Sequence, residues 1–186
     1  MRSRSVAAVG AVALLALTGC HNKRDDQKPE TLPPVQLVEQ PAASAGGACI
    51  LWDYAFIQQK IGVTFDVAAA DQVDDTSSCV VQTVEGDYPD LMLSVVESTA
   101  ADPKLFLSDL KPAKATTLKG LGKAGYRLDA ASAADHGPSV EIGWLSEASQ
   151  LQTLKFTFAK TASPEDVTAM NTKLLDLAKA MDTTDG

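Results

Sequence analysis

Few side chains in this sequence have both the type and the setting for catalysis. One of the two histidines, His136, lies in a turn that reads Asp-His-Gly-Pro and could act as a general base with Asp135 or Glu141 as its acid partner. A lone histidine in a polar turn is more often part of a solvated surface. The serines carry neither the G-x-S-x-G nor the S-x-x-K motif of activated nucleophiles. We therefore expect a non-catalytic domain, with a hydrolase that uses His136 as the alternative hypothesis.

Two further motifs have the composition of ligand sites but not the pattern around them. Residues 120–125 match the dinucleotide fingerprint G-x-G-x-x-G, yet that site needs a buried strand before it and a helix after it. We predict a glycine-rich turn instead. Asp71, Asp74 and Asp75 lack the ligand spacing of a calcium-binding EF-hand loop and indicate a solvated acidic loop over 71–78. We expect neither a cofactor nor a metal site.

The N-terminal residues predict export from the cytoplasm. Residues 1–19 combine two arginines, an apolar run from Val6 to Leu17 and a small-residue cleavage site, which is the pattern of a signal peptide. The run is shorter than the roughly 20 residues of a membrane-spanning helix. Residues 17–20 read Leu-Thr-Gly-Cys and resemble the lipobox of bacterial lipoproteins. This resemblance implies that Cys20 becomes the mature N-terminus and carries acyl chains such as palmitate; an ordinary secreted protein is the alternative.

The other two cysteines, Cys49 and Cys79, fit an exported domain. Disulfides persist in oxidising compartments outside the cytoplasm, so we predict that these two residues form one. A pair of free buried thiols is the alternative. A thioredoxin-like redox role is disfavoured, because the two residues do not have the Cys-x-x-Cys spacing.

The charge balance limits the classes of partner. The 186 residues carry a net charge of −8, with a pI near 4.7. This balance argues against nucleic acid, whose phosphates demand basic surfaces. Loss of residues 1–19 removes two arginines and no acid, which leaves a net charge of −10. We therefore expect the chain to meet the membrane through acyl chains on Cys20 and not through electrostatic attraction.

The composition divides the chain into four segments. Residues 1–19 are the predicted lipoprotein signal peptide. Residues 20–47 hold the acylated cysteine and a tether rich in proline, alanine and serine, predicted to be disordered because it lacks the apolar surface to build a core. Residues 48–182 are predicted to form a single domain, followed by a disordered tail at 183–186.

Hydrophobic periodicity within 48–182 predicts both helices and strands. Apolar residues recur at helical spacing from Ile50 to Ile61, and Gly62 follows as a stop signal. A short helix is expected from Asp102 to Leu110 and a capped C-terminal helix after Ser163. Strands are expected at 63–67, 79–84, 91–96, 126–128, 140–145 and 151–158. We predict an α+β domain, with an antiparallel sheet of four to six strands and two or three helices.

The overall layout resembles that of small actinobacterial lipoproteins of unknown function. The likeness rests on the lipobox at 17–20, the tether, Cys49 with Cys79, the turn at 120–125 and the capped C-terminal helix. The alternation of helix and antiparallel strands is also similar to PsbP-like domains. These resemblances imply a binding or accessory role at the extracytoplasmic face of the cell membrane. The implied partner is an envelope protein, lipid or polymer, bound through the sheet face or a cleft beside it.

Overall fold

The structure is a computed structural model that describes residues 40–97 and 102–182. Several predictions fall outside these residues: the signal peptide at 1–19, the acylation of Cys20, most of the tether and the tail at 183–186. The described residues contain the whole predicted sheet, its helices and both candidate disulfide cysteines.

One antiparallel sheet organises the described residues, with its strands in the order β1-β2-β3-β7-β6-β5-β4. The strands are β1 (Val67–Val73), β2 (Thr76–Thr83), β3 (Gly86–Glu97), β4 (Thr116–Leu118), β5 (Ala124–Ala130), β6 (Ser139–Leu145) and β7 (Gln150–Thr157). Each neighbouring pair is antiparallel. The predicted α+β fold is confirmed, with one strand more than the expected upper limit.

Helices flank this sheet and connect its strands. They are α1 (Tyr54–Ile61), α2 (Pro103–Leu105) and α3 (Pro164–Asp182). Two 3₁₀ turns, Ala42–Ala45 and Gly47–Leu51, precede α1. A π-helical turn, Phe106–Leu110, continues α2.

Local sequence signals set both ends of α1. The helix begins at Tyr54, later than the predicted start near Ile50, because the Asp53 carboxylate accepts a hydrogen bond from the Phe56 N–H at 3.0 Å. A side-chain acceptor at this position satisfies an N–H group that the first helical turn leaves unpaired. Gly62 ends the helix as predicted, with a left-handed φ of 78° that suits glycine.

The sheet separates two apolar clusters. On one face, α1, α3 and the 3₁₀ turns cover the main core, which includes the fully buried Ile57 and Trp144. On the other face, Phe106 of the π-helical turn stacks on Tyr126 with ring centroids 5.8 Å apart, beside Leu145. Trp144 and Leu145 point to opposite faces because successive strand residues alternate. The part of the sheet formed by β5 and β6 is therefore apolar on both faces.

The predicted disulfide between Cys49 and Cys79 is present, with Cα atoms 5.0 Å apart. Both residues are fully buried. Cys79 lies in β2 opposite Ala70 of β1, and Cys49 lies in the 3₁₀ turn before α1. The bridge therefore links the 3₁₀ turn before α1 to strand β2.

Three segments differ from the sequence-based prediction. The β1–β2 hairpin replaces both the strand predicted at 63–67 and the acidic loop predicted at 71–78, with its turn at 74–75. Residues 42–47, assigned to the tether, contribute to the two 3₁₀ turns that open the domain; Ala42 is only 1% exposed there, whereas residues 43–45 are exposed. Strand β4 is absent from the predicted elements. These segments lie at or beside the sheet edges, where hydrophobic alternation is weakest because more of each strand faces water.

Candidate binding groove

An open groove of about 350 Å³ lies between α1, α3 and the end of β7. This volume falls within the roughly 300–1,000 Å³ typical of small-molecule sites. The end of α1, the loop after β7, the first half of α3 and one residue of β3 supply its walls. The residues that line this α1–α3 groove are Ile61, Gly62, Val63, Pro89, Phe156, Phe158, Ala159, Thr161, Ala162, Asp166, Ala169, Met170 and Lys173.

The floor of the α1–α3 groove is apolar. Phe156 and Phe158 pack edge to face, with ring centroids 4.7 Å apart. Phe158 and Met170 retain 7% and 6% of their surface exposed to solvent. Both residues belong to the main buried core and also line the groove. A concave floor of aromatic and thioether groups favours an apolar ligand body.

Lys173 places a cation at the α1 end of the groove. Its Nζ donates a hydrogen bond to the Ile61 carbonyl oxygen at 3.1 Å. This contact satisfies one of the carbonyl groups that the end of a helix leaves unpaired. It also ties α3 to α1 and holds the ammonium at the rim of the groove. Because a lysine ammonium has three donors, it can still bind a polar or anionic group of a ligand.

Asp166 places an anion on the same helix, near its start. Its Oδ2 accepts hydrogen bonds from the N–H and the hydroxyl of Ser163, at 3.0 and 2.9 Å. Ser163 Oγ in turn accepts one from the Asp166 N–H, which makes a reciprocal cap for α3. The backbone and side-chain hydrogen bonds from Ser163 lower the pKa of Asp166. Asp166 and Lys173 are seven positions apart on α3, or roughly 10 Å along the helix axis, so the groove carries opposite charges at its two ends.

His136 lies in a separate polar cluster beside the start of β3. Its Nε2 is 3.8 Å from Asp135 Oδ1, and its ring centroid is 5.7 Å from that of Tyr88. Its Nδ1 lies 2.5 Å from the Gly137 carbonyl oxygen. Asp90 is partly buried within range of the imidazole, and burial raises the pKa of this carboxyl. The cluster thus contains one of the acid partners predicted for His136.

Glu141, the other predicted acid partner of His136, is engaged elsewhere. Its Oε1 accepts a hydrogen bond from the Tyr126 hydroxyl at 2.9 Å, between β6 and β5. Burial, followed by the neighbouring Glu141 carboxylate, raises the pKa of Tyr126, so the phenol stays protonated as a donor. Of the two predicted acids, the structure therefore brings Asp135 to the imidazole and ties Glu141 to a different side chain.

The glycine motif at 120–125 leads from β4 into β5, which agrees with the predicted turn. Gly120 and Gly122 have left-handed φ values of 72° and 49°. The Gly122 N–H donates a hydrogen bond to Asp182 at the end of α3, at 3.1 Å. The glycines thus serve chain reversal and contact with α3, without the helix that a pyrophosphate site requires.

The acidic residues near β1 do not form the predicted loop. Asp71 lies within β1, while Asp74 and Asp75 form the turn to β2. Among the residues that the structure describes, no group of three or more histidine, cysteine, aspartate or glutamate side chains is placed to hold a metal ion.

Neither a protein-family model nor a curated protein nor a solved structure matches this chain. Within 40–97 and 102–182, no helix has both the length and the apolar character needed to cross a membrane.

Proposed function

We propose that this protein is a lipid-anchored lipoprotein on the extracytoplasmic face of a bacterial cell membrane, with a non-catalytic domain that binds a small amphipathic ligand of the envelope. The apolar floor of the α1–α3 groove carries the binding part of the proposal. Phe158 and Met170 line an open cavity of about 350 Å³. Lys173 and Asp166 supply polar ends for a ligand with an apolar body.

The anchoring part of the proposal rests on the lipobox-like residues 17–20. Two acyl chains on Cys20 would supply the two membrane-binding signals that stable anchoring requires. The buried disulfide between Cys49 and Cys79 supports export, because structural disulfides rarely persist in the cytoplasm.

Two tryptophan substitutions in α3 test whether the groove binds a ligand. Ala169 lines the groove, whereas Thr172 on the same helix is exposed and does not line it. We expect the fluorescent amphiphile anilinonaphthalene sulfonate to bind wild type at a single saturable site. Ala169→Trp should abolish that binding, because the indole fills the cavity. Thr172→Trp, the matched control, should leave it unchanged; equal affinity in the two variants would refute the groove as the site.

Detergent phase partition tests the anchor. The full chain, expressed in a bacterial host and extracted from membranes, is expected in the detergent-rich phase of a cloud-point separation. Cys20→Ser removes the thiol that would carry the acyl chains, and its precursor should fail to incorporate labelled palmitate. Label on the Cys20→Ser chain equal to that on wild type would contradict acylation at this residue.

A further inference from the structure

Basic residues concentrate in one segment of the folded domain. Residues 103–128 contain six lysine and arginine residues and a single acidic residue, Asp109. The other described residues contain five basic and eighteen acidic ones. A segment with a net charge of +5 therefore belongs to a domain whose remainder carries −13.

The fold gathers this segment at one edge of the sheet. Residues 103–128 comprise α2, the π-helical turn, β4 and most of β5, and we call them the basic edge. Strand β4 is outermost in the sheet and pairs with β5. The π-helical turn lies next to this edge, on the face of β5 where Phe106 stacks on Tyr126. At the other edge, the β1–β2 turn carries Asp74 and Asp75, about 29 Å away across six strand spacings.

The charges of the basic edge are largely unneutralised. Lys104, Lys114 and Lys119 are exposed. Within the described part of the chain, the ion pairs are Arg127 with Asp129 at 3.5 Å and the His136–Asp135 contact of the polar cluster. Lys111 and Lys123 donate hydrogen bonds to the Ala115 carbonyl oxygen and the Ser149 hydroxyl. No described lysine of the basic edge forms an ion pair, so their charges can meet an external anionic surface.

Exposed leucines lie among these lysines. Leu105 and Leu110 are 52% and 53% exposed, and they adjoin Lys104 and Lys111 in sequence. Lysines that contact phosphates, together with apolar side chains that enter the headgroup boundary, are the combination that holds peripheral segments on anionic bilayers. The chemistry of the basic edge is thus complementary to a lipid surface.

We propose that the basic edge docks on the anionic phospholipid surface of the membrane. The inference rests on the proposed function in one respect, since the Cys20 anchor keeps the domain beside the bilayer. Twenty residues lead from Cys20 to Gln40, which at full extension span roughly 65 Å. Residues 42–51 pack near β1 and β2, at the far side of the sheet from β4. The maximum length of this segment therefore exceeds the roughly 29 Å width of the sheet.

The negative net charge of the domain does not prevent this docking. At physiological ionic strength the Debye length is about 8 Å, so the acids of the β1–β2 turn, about 29 Å from the lipid surface, are screened over more than three Debye lengths. Asp102, Asp109 and Asp129 lie within or next to the basic edge and are not screened in this way. They reduce its local charge from six positive charges to a net +3, which still favours an anionic surface. Docking of the basic edge would add an electrostatic contact to the acyl anchor expected from the sequence.

Docking is tested on the full acylated chain in vesicles of two compositions: phosphatidylcholine alone, and phosphatidylcholine mixed with phosphatidylglycerol. Amide hydrogen exchange reports the docked fraction. We expect slower exchange over 103–128 on the anionic vesicles only, reversed by 1 M salt, where the Debye length falls to about 3 Å. Each lysine near an anionic surface contributes about fivefold in binding. Lys114→Glu combined with Lys119→Glu should therefore lower the docked-to-undocked ratio by at least about 25-fold.

The matched control reverses the same number of charges elsewhere. Lys60→Glu with Lys160→Glu lies outside the basic edge and should retain docking. Thermal unfolding of both double variants checks that each is folded. Equal protection on neutral vesicles, or equal loss in the control, would overturn the proposal. So would protection of 103–128 by free polyphosphate but not by anionic vesicles.

Failure of the anchor gives a different result from failure of docking. A wild-type chain that does not float with neutral vesicles contradicts acylation of Cys20, and exchange on the anionic vesicles then still decides whether the basic edge docks. A chain that floats with both vesicle types, without protection of 103–128 on either, contradicts docking alone.

Discussion

Reduction of the Cys49–Cys79 disulfide should destabilise the domain by a calculable amount. The bridge closes a loop of 30 residues between two fully buried side chains. On the chain-entropy treatment, a loop of this length is worth roughly 3.6 kcal/mol at 25 °C, because reduction frees the unfolded chain. The unfolding entropy of the described domain is of order 0.3 kcal/mol/K, so the midpoint of thermal unfolding should fall by about 12 °C.

Urea denaturation, with and without reductant, measures this loss without changing the sequence. Trp52 and Trp144 are 2% and 0% exposed, so their fluorescence should report unfolding in both states. The reduced chain should unfold at lower urea concentration, and Cys49→Ala with Cys79→Ala should be insensitive to reductant. A difference of less than about 1 kcal/mol between oxidised and reduced wild type would refute the loop-entropy reasoning.

Other side chains give smaller, more local effects. Ser163→Ala removes the reciprocal cap of α3 and should cost about 1 kcal/mol in urea denaturation at neutral pH. The pKa of Asp166 is lowered in the folded chain, so its carboxylate stabilises the fold above the unfolded pKa of about 4, and this stabilisation is lost as pH falls through the folded pKa. Asp166→Asn should therefore flatten the dependence of the unfolding free energy on pH in this range. An unaltered dependence would contradict the role of this carboxylate. Gly143→Ala would place Cβ in steric overlap with the Tyr126 ring and should cost roughly 1–3 kcal/mol, as measured by thermal unfolding. Phe106→Ala should cost about 3 kcal/mol and speed amide exchange over 103–118; unchanged exchange there would show that the stacking does not hold this segment.

Elements with strong local signals are predicted well from the sequence. The start of α3 follows from Ser163 and Pro164, a capping residue and a proline at the first helical position. The antiparallel pairing of β6 with β7 follows from their short connection, which is too short for a parallel crossover. In both cases neighbouring residues alone determine the structure, so no knowledge of distant contacts is needed.

Elements that depend on distant contacts are predicted poorly. Strand β1 has polar and small residues because most of its side chains are exposed, and its strand pairing comes from β2. Ala42 is buried by residues that are distant in the sequence. The proline- and alanine-rich residues around it do not indicate this burial. Lys173 cannot be distinguished from a solvated helix lysine until its contact with Ile61, 112 residues earlier in the chain, is known.

The basic edge shows how an average over the chain can conceal a local feature. The net charge of −8 indicates an acidic protein, whereas a count over 103–128 reveals six basic residues and one acid. That signal is present in the sequence. Its significance requires the structure, because only the fold places these residues together at the β4 side of the sheet.

The most direct test of the account is the intact mass of the full chain after extraction from bacterial membranes. We predict a polypeptide that begins at Cys20 and is heavier than the unmodified mature chain by the mass of its attached lipid. Fragmentation should locate the added mass on Cys20. A mature chain that begins at another residue, or one that begins at Cys20 without added lipid, would contradict the claim that this domain is held at the membrane by an N-terminal anchor.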